Sequence, residues 1–481
     1  MTEESRVDSD QADEETSEAV NADPSPAAAS PTEDPPYPST GYAWYVVALL
    51  MVVYVFSFMD RQILALLTTP IKKQLDISDT QMSYLGGASF AIFYTFFGMP
   101  LGRLADRVSR RGLIAAGLFF WSLMTAACGL TQRYWQLLLC RMGVGVGEAS
   151  LSPAAYSLIS DSFPPHQLGR AISIYSMGIY IGSGMAYMLG GVVVRWIGGQ
   201  PTITVPIAGE VYSWQVVFFM LGIPGMLMTL MLLTIKEPHR RGVKRVKTAG
   251  GDKVAAIPLG QVARYMRGNW WTFFCHNMGF ALLSLSSYGS TFWIATFFER
   301  TYEGWTRADA GIIYGGIVVV FGTTGIVSGG FLADRLTAKG VVSSKMWVGA
   351  AACFIWYATG IVYPLAPNAT IAFIFLAPTV FLAAMPTGIA AAAIQEMMPN
   401  AMRGQASALY LFVVNLIGLG IGPSAVAWVT DYVFADELKL RYSLLIVNCI
   451  AHFASAALLV AGAGPFRRSL KQRDEWNAAN A

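Results

Sequence analysis

An all-α membrane protein, with twelve spanning helices in two pseudo-symmetric six-helix bundles, is predicted by three features of the sequence. Apolar residues make up 54% of the 481 and charged residues 13%, about half the charged share of a soluble domain. Twelve apolar runs reach the roughly 20 residues that cross a bilayer as a helix. Two short charged motifs recur in the same order in the two halves of the chain.

Residues 1–40 are acidic and rich in Pro, Ser and Ala, with Arg6 the only basic residue. They lack the basic start and apolar core of a signal peptide and cannot bury enough surface to fold. They are read as a disordered acidic N-terminal tail. The apolar runs fall near 42–70, 80–101, 112–131, 134–160, 168–197, 213–235, 271–299, 308–332, 343–364, 370–396, 404–432 and 442–465, and tilt absorbs the surplus length of the longer ones. This gives an N-terminal bundle over 41–235, a linker over 236–269, a C-terminal bundle over 270–466 and a C-terminal tail over 467–481.

Basic residues set the orientation. They gather after the second run (Arg103, Arg107, Arg110, Arg111), after the sixth (Lys236, Arg240, Arg241, Lys244, Arg245, Lys247) and after the last (Arg467, Arg468, Lys471, Arg473). All three groups fall on one side, which the positive-inside rule makes cytoplasmic, with both termini inside. The net charge of +3 is too small to imply nucleic acid. Cys128, Cys140, Cys275, Cys353 and Cys449 lie inside apolar runs with no metal-ligand spacing, as free thiols do.

GRLADRVSRR (102–111) after the second run is matched by GFLADRLTAK (330–339) after the eighth. Asp161, Pro164 and Gly169 after the fourth are matched by Glu396, Pro399 and Gly404 after the tenth. Such duplication into parallel six-span halves around a midplane site is a transporter architecture. GRLADRVSRR resembles the loop signature of the major facilitator superfamily, with Ser109 where a Gly is usual; the resemblance covers about residues 42–466. FSFMDRQIL (56–64), RMGVGVGEASLSPAAYSLISD (141–161) and GRAISIYSMGIYIGSG (169–184) resemble the Spinster family. That resemblance implies a bacterial homologue of transporters of lysophospholipids and sphingosine-1-phosphate.

Charges inside a span cost about 2.5–3.5 kcal/mol each on insertion scales and face a cavity or a partner. Asp60 and Arg61 lie in the first span, Arg141 and Glu148 in the fourth. At about 1.5 Å per residue, Asp60 sits roughly 25 Å above the start of its span and Arg141 roughly 10 Å below the outer end of its own. An Asp60–Arg141 pair is therefore feasible, with Glu148 about two turns deeper. Arg141, Gly145, Glu148 and Ser152 recur at helical spacing and share one face. Burial raises a carboxylate's pKa and a nearby arginine lowers it, so a carboxylate with a mobile arginine partner can carry a proton. The expectation is that Asp60, Arg141 and Glu148 couple protons, and that Arg61, Arg141, Glu148, Ser152 and Tyr187 contact substrate. Arg61, facing another way than Asp60 and left without a carboxylate in its layer, is expected to take an anionic head. The bland alternative is a static buried ion pair.

GVGVGE (143–148) follows no strand, so its glycines are read as letting helices approach closely; Gly178, Gly182 and Gly184 are read likewise. Tyr180, Ser183 and Tyr187 line a cavity or pack a helix contact. His276 and Asn277 are read as structural. Asp106 and Asp334 are candidate caps for spans of the opposite half. Arg107 and Arg110, with Arg335 at the repeated position, are candidates to pair with Asp161 or Glu396, forming a cytoplasmic gate.

No catalytic constellation and no metal site is visible, so no enzyme and no cofactor beyond a coupling proton is expected. The reading is a monomeric secondary transporter of a bacterial inner membrane, moving a lipid-like amphiphile by alternating access. An exporter of small molecules or drugs is the alternative within transport, and a non-transporting receptor or scaffold the alternative outside it.

Overall fold

In the computed structural model the chain is described over residues 36–105, 107–197, 202–205, 209–240, 245–248, 251–254, 259–399 and 402–479. The first half contributes α1 (Thr40–Leu66), α2 (Asp79–Ala105), α3 (Arg110–Cys128), α4 (Tyr134–Glu148, resuming over Leu151–Ser162), α5 (Pro165–Ile197) and α6 (Ser213–Leu232). The second contributes α7 (Trp270–Thr301), α8 (Arg307–Ala338), α9 (Ser344–Leu365), α10 (Ala369–Met397), α11 (Arg403–Phe434) and α12 (Leu440–Ala479). Ten of these runs are long and apolar enough to cross a membrane by composition alone. The other two, α4 and α7, carry Arg141 and Glu148, or His276, Asn277 and several serines. They complete the bundles by packing, α4 against α2 and α3, and α7 against α11 and α12.

Prolines explain two departures from the predicted spans. The first span was expected to run to residue 70, but α1 ends at Leu66 and a short helix follows over Thr68–Leu75. Pro70 has no N–H to give the carbonyl of Leu66, and Arg307 Nη1 of the second half takes that carbonyl at 2.9 Å. Pro153 likewise leaves the carbonyl of Ala149 without its helical donor, and α4 breaks at Ala149–Ser150. The expected linker holds a hairpin (Arg245–Thr248 with Gly251–Val254) and a helix over Leu259–Gly268. The expected tail from 467 is instead helical to Ala479. Ser469 Oγ donates to Asn269 Oδ1 at 2.8 Å, and Arg473 Nη1 to the Glu396 carbonyl at 2.7 Å.

Three apolar cores show how the halves meet. One joins both halves at the face opposite the termini, through Leu66, Ile71, Leu85, Trp214, Trp293 and Phe298. On the termini's own face the cores divide largely by half, with Leu419 of α11 packing into the first. Leu50, Leu118, Leu158 and Leu232 belong to the first, and Met346, Ile394, Met397 and Phe466 to the second. The molecule is thus sealed at one face and divided at the other.

At the sealed face α5 crosses α8 at Gly184 and Gly315. A Cβ on Gly184 would lie 2.7 Å from the Gly315 carbonyl, and one on Gly315 2.5 Å from that of Gly184. Each backbone fills the other's missing side chain, the close approach that small residues permit in membranes. Tyr187 donates to the Thr291 carbonyl in the same interface and meets Tyr314 edge-on. Tyr187 therefore packs between the halves.

Candidate functional site

The charged residues of α1 and α4 meet as two ion pairs in the first half. Arg141 Nη1 donates to Asp60 Oδ1 at 3.1 Å, and Thr125 of α3 donates to Asp60 Oδ2. Arg61 Nε donates to Glu148 Oε2 at 2.6 Å, and Ser57 Oγ to the same oxygen at 2.7 Å. All four charged residues are buried. The Asp60–Arg141 pair that depth allowed is present. The expectation that Arg61 lacks a carboxylate is corrected: Glu148 serves it, because Arg61's long arm runs down the helix toward Ser57, one turn away.

Local backbone chemistry places these groups. In α2 a wide turn over Tyr84–Ala88 sends the Ser89 amide to the Tyr84 carbonyl instead of that of Leu85. The Leu85 carbonyl then accepts Arg141 Nε at 3.4 Å and Ser89 Oγ at 3.2 Å. Gly145 brings α4 against α2, since a Cβ there would meet the Phe90 carbonyl at 2.6 Å. The rings of α2 thereby reach the arginines: Arg61 Cζ lies 4.6 Å from the Tyr94 ring centre and 4.7 Å from Phe90, with Phe58 of α1 at 4.8 Å. Such cation–π contacts contribute about 0.5–2 kcal/mol each.

Two polar atoms in the cluster have no partner among the described residues, Glu148 Oε1 and Arg141 Nη2. Among the described residues Arg61 bonds protein through Nε alone, with its guanidinium carbon among the rings. Ser152 lies beyond a break in the helix. The break is at Ala149–Ser150, and Ser152 lies by the hydroxyl of Tyr175, which stacks on Tyr54.

On the termini's face the expected cross-half gate is absent among the described residues. Arg110 pairs with Asp161, its own half's carboxylate, and with Glu237 at 2.8 Å. Glu396 pairs with Lys345 at 2.5 Å, again within one half. Each of these pairs lies within one half and joins nothing across the molecule. Arg107, Asp334 and Arg335 are exposed, and Asp106 lies outside the described residues.

Sequence reading missed the role of Glu237. Its carboxylate accepts from the amides of Arg110 and Arg111, both at 3.1 Å, and from Ser109 Oγ at 2.9 Å. It thus caps α3 from beyond α6, while Arg240 Nη2 caps α2 at the Ala105 carbonyl, 2.8 Å away. Partial burial opposes the charge of Glu237, but the hydrogen bonds from Arg110, Arg111 and Ser109 hold its carboxyl below the usual range.

It also missed the latch on the sealed face. Buried Asp79 accepts from Arg300 Nη1 and Nη2 at 2.5 and 2.9 Å and pairs with Lys72. Glu437 bridges Lys72 at 2.7 Å and Arg300 at 2.6 Å. Thr80 donates twice to Asp431 at 2.7 Å, and Thr69 to Glu299 at 2.8 Å. Every one of these sets joins the two halves. The signal was opposite charges in short connections on the face where basic residues are scarce.

A family model described as Major Facilitator Superfamily matches residues 50–423. An MFS-type efflux pump of Mycolicibacterium smegmatis is 26% identical, the match covering 89% of this chain and 94% of the pump. Protein spinster homolog 1 of Bos taurus is 26% identical over 92% of this chain and 89% of its own. A solved bacterial homologue of the human lysosomal transporter Spinster, inward-facing and unoccupied, superposes with a TM-score of 0.70 at 26% identity, covering 91% of this chain and 99% of that one. Twelve spans in two bundles, a duplicated loop signature and these likenesses agree: the chain belongs to the Major Facilitator Superfamily, a transporter and not an enzyme, similar within it to the Spinster proteins.

Proposed function

We propose that the protein is a proton-coupled secondary transporter of a lipid-like amphiphile with a phosphate-bearing head, such as a lysophospholipid or sphingosine-1-phosphate. It works by alternating access in a bacterial inner membrane, with both termini cytoplasmic. The observation that carries the reading is the double ion pair of α1 and α4, confined to one half and left with an unpartnered carboxylate oxygen and guanidinium nitrogen. Removing one member of a buried pair strands its partner at a cost of about 3–5 kcal/mol. A proton arriving on a carboxylate has that effect on its arginine, so the pair converts proton binding into a preference between conformations.

The contacts support a division of labour. Asp60, held by Arg141 and Thr125, carries the coupling proton. Arg61 exchanges Glu148 for the phosphate of the head, its planar fork suiting a bidentate contact and the rings of Phe58, Phe90 and Tyr94 holding it in place. The latch at Asp79 closes the outer side in this conformation, and the divided cores leave the inner side open. The likeness to Spinster proteins supports the choice of substrate class.

Uptake of a labelled lysolipid into vesicles holding the purified protein tests this reading. Uptake accelerated by a pH gradient is expected, and uptake indifferent to it rejects coupling. The likeness to an efflux pump favours a second reading, export of small molecules; equal transport of a substrate without an acyl chain would establish it.

A further inference from the structure

The helix Leu259–Gly268 and the end of α12 meet beside the start of α7. Ser469 Oγ of α12 donates to Asn269 Oδ1 at 2.8 Å and bonds Thr272 at 2.9 Å. Tyr265 donates to the carbonyl of Met397 at 3.0 Å, and Val262, Phe466, Leu470 and Trp476 pack into the same core. The two segments are therefore one rigid corner of the termini's face.

That corner is strongly basic. Residues 259–269 and 466–479 hold six cations and two carboxylates. The carboxylates are taken locally, Asp474 by Arg473 at 2.6 Å and Glu475 by Lys471 at 3.8 Å. Arg264, Arg267, Arg467 and Arg468 remain, all exposed and without an acidic partner among the described residues. Arg264 and Arg267 are three apart on one helix and share a face. Arg467 and Arg468 directly precede Ser469, whose bond to Asn269 places them near Arg267. Immediately beyond Asn269 the chain turns aromatic and exposed. Trp270, Trp271 and Phe274 are 60%, 40% and 42% exposed, and Trp271 contacts both of the others. Tryptophans at the head-group level with arginines just outside them is the pattern of an anionic-lipid contact.

We propose that Arg264, Arg267, Arg467 and Arg468 form a docking surface for the headgroups of anionic phospholipids in the surrounding membrane, with Trp270 and Trp271 setting its depth. The bound lipid bridges the linker helix to α12 and braces the second half on the divided face. This surface is separate from the α1–α4 cluster and does not depend on what is transported. The docked lipid is a fixed neighbour, not cargo.

Lipid binding by the full chain in nanodiscs measures it, with phosphatidylglycerol compared against phosphatidylcholine. The parent is expected to prefer phosphatidylglycerol, less so as salt is raised. Arg264→Gln, Arg267→Gln, Arg467→Gln and Arg468→Gln together should cut that preference by well over tenfold, as four phosphate contacts are lost. A control, Lys236→Gln with Lys339→Gln, removes two exposed charges elsewhere on the face and should leave the preference intact. Should the fourfold variant fold poorly, Arg467→Gln with Arg468→Gln alone should give an intermediate loss. An unchanged preference in the arginine variants, or an equal loss in the control, overturns the proposal.

Discussion

Arg61 gives Glu148 its Nε and keeps its guanidinium carbon among aromatic rings, so its charge is neutralised while its fork stays open. Lysine at this position keeps the charge but loses the fork. Arg61→Lys is therefore expected to weaken binding of a phosphate-headed lysolipid about tenfold more than binding of its uncharged analogue, the difference one charged hydrogen bond makes. Titration of both ligands on both proteins reads this, and equal losses would make Arg61 structural. Span depth placed Asp60 and Arg141 together from sequence alone. It did not place Glu148 with Arg61, because depth counts backbone rise while a side chain as long as arginine's bridges a full turn. Nor did helical spacing foresee the break at Ala149–Ser150 ahead of Pro153. The charged residues were legible in the sequence, and their partners only partly.

At the scale of the element, Glu237 and Arg240 show one short segment after α6 serving two helix ends with opposite charges. The sequence reading weighed that segment only for its basic residues, so the capping acid went unseen. The depressed Glu237 carboxyl stabilises the fold above the unfolded pKa of about 4.3, and that contribution is lost as pH falls through the lower folded value. Glu237→Gln should lower the thermal midpoint at pH 7, and the gap to the parent should close as the pH is taken below about 4.3. A gap independent of pH would mean that the carboxylate's charge is not what caps α3. Between α5 and α8 the reciprocal glycines set a harder limit. Gly184→Val drives a branched side chain into the Gly315 backbone and should part the halves, read as a lower midpoint and as cross-linking lost between the two helices. Glycine-mediated approach was legible in the sequence, but which helix each glycine faces was not, since spacing names a face and not its neighbour.

For the whole molecule, the duplicated loop motifs and twelve apolar runs carried the architecture. α4, broken at Ala149–Ser150, and α7, with its polar residues, were among those twelve runs. The open or closed state of each face was not legible, because it depends on pairings between distant connections such as Asp79 with Arg300. Asp79→Asn leaves Lys72 and Arg300 sharing only Glu437, which should favour opening of the latched face. Spin labels at positions 73 and 303 should then report longer distances than in the parent, and an unchanged distribution would deny the latch its role. The central claim is that the α1–α4 pairs tie proton movement to amphiphile movement. A pH-sensitive dye sealed inside vesicles with the protein measures this directly when lysolipid is added outside. The account predicts a proton flux on addition to the parent and none for a folded Asp60→Asn variant. Lysolipid uptake without any proton flux in the parent, or an undiminished flux in the variant, would contradict it.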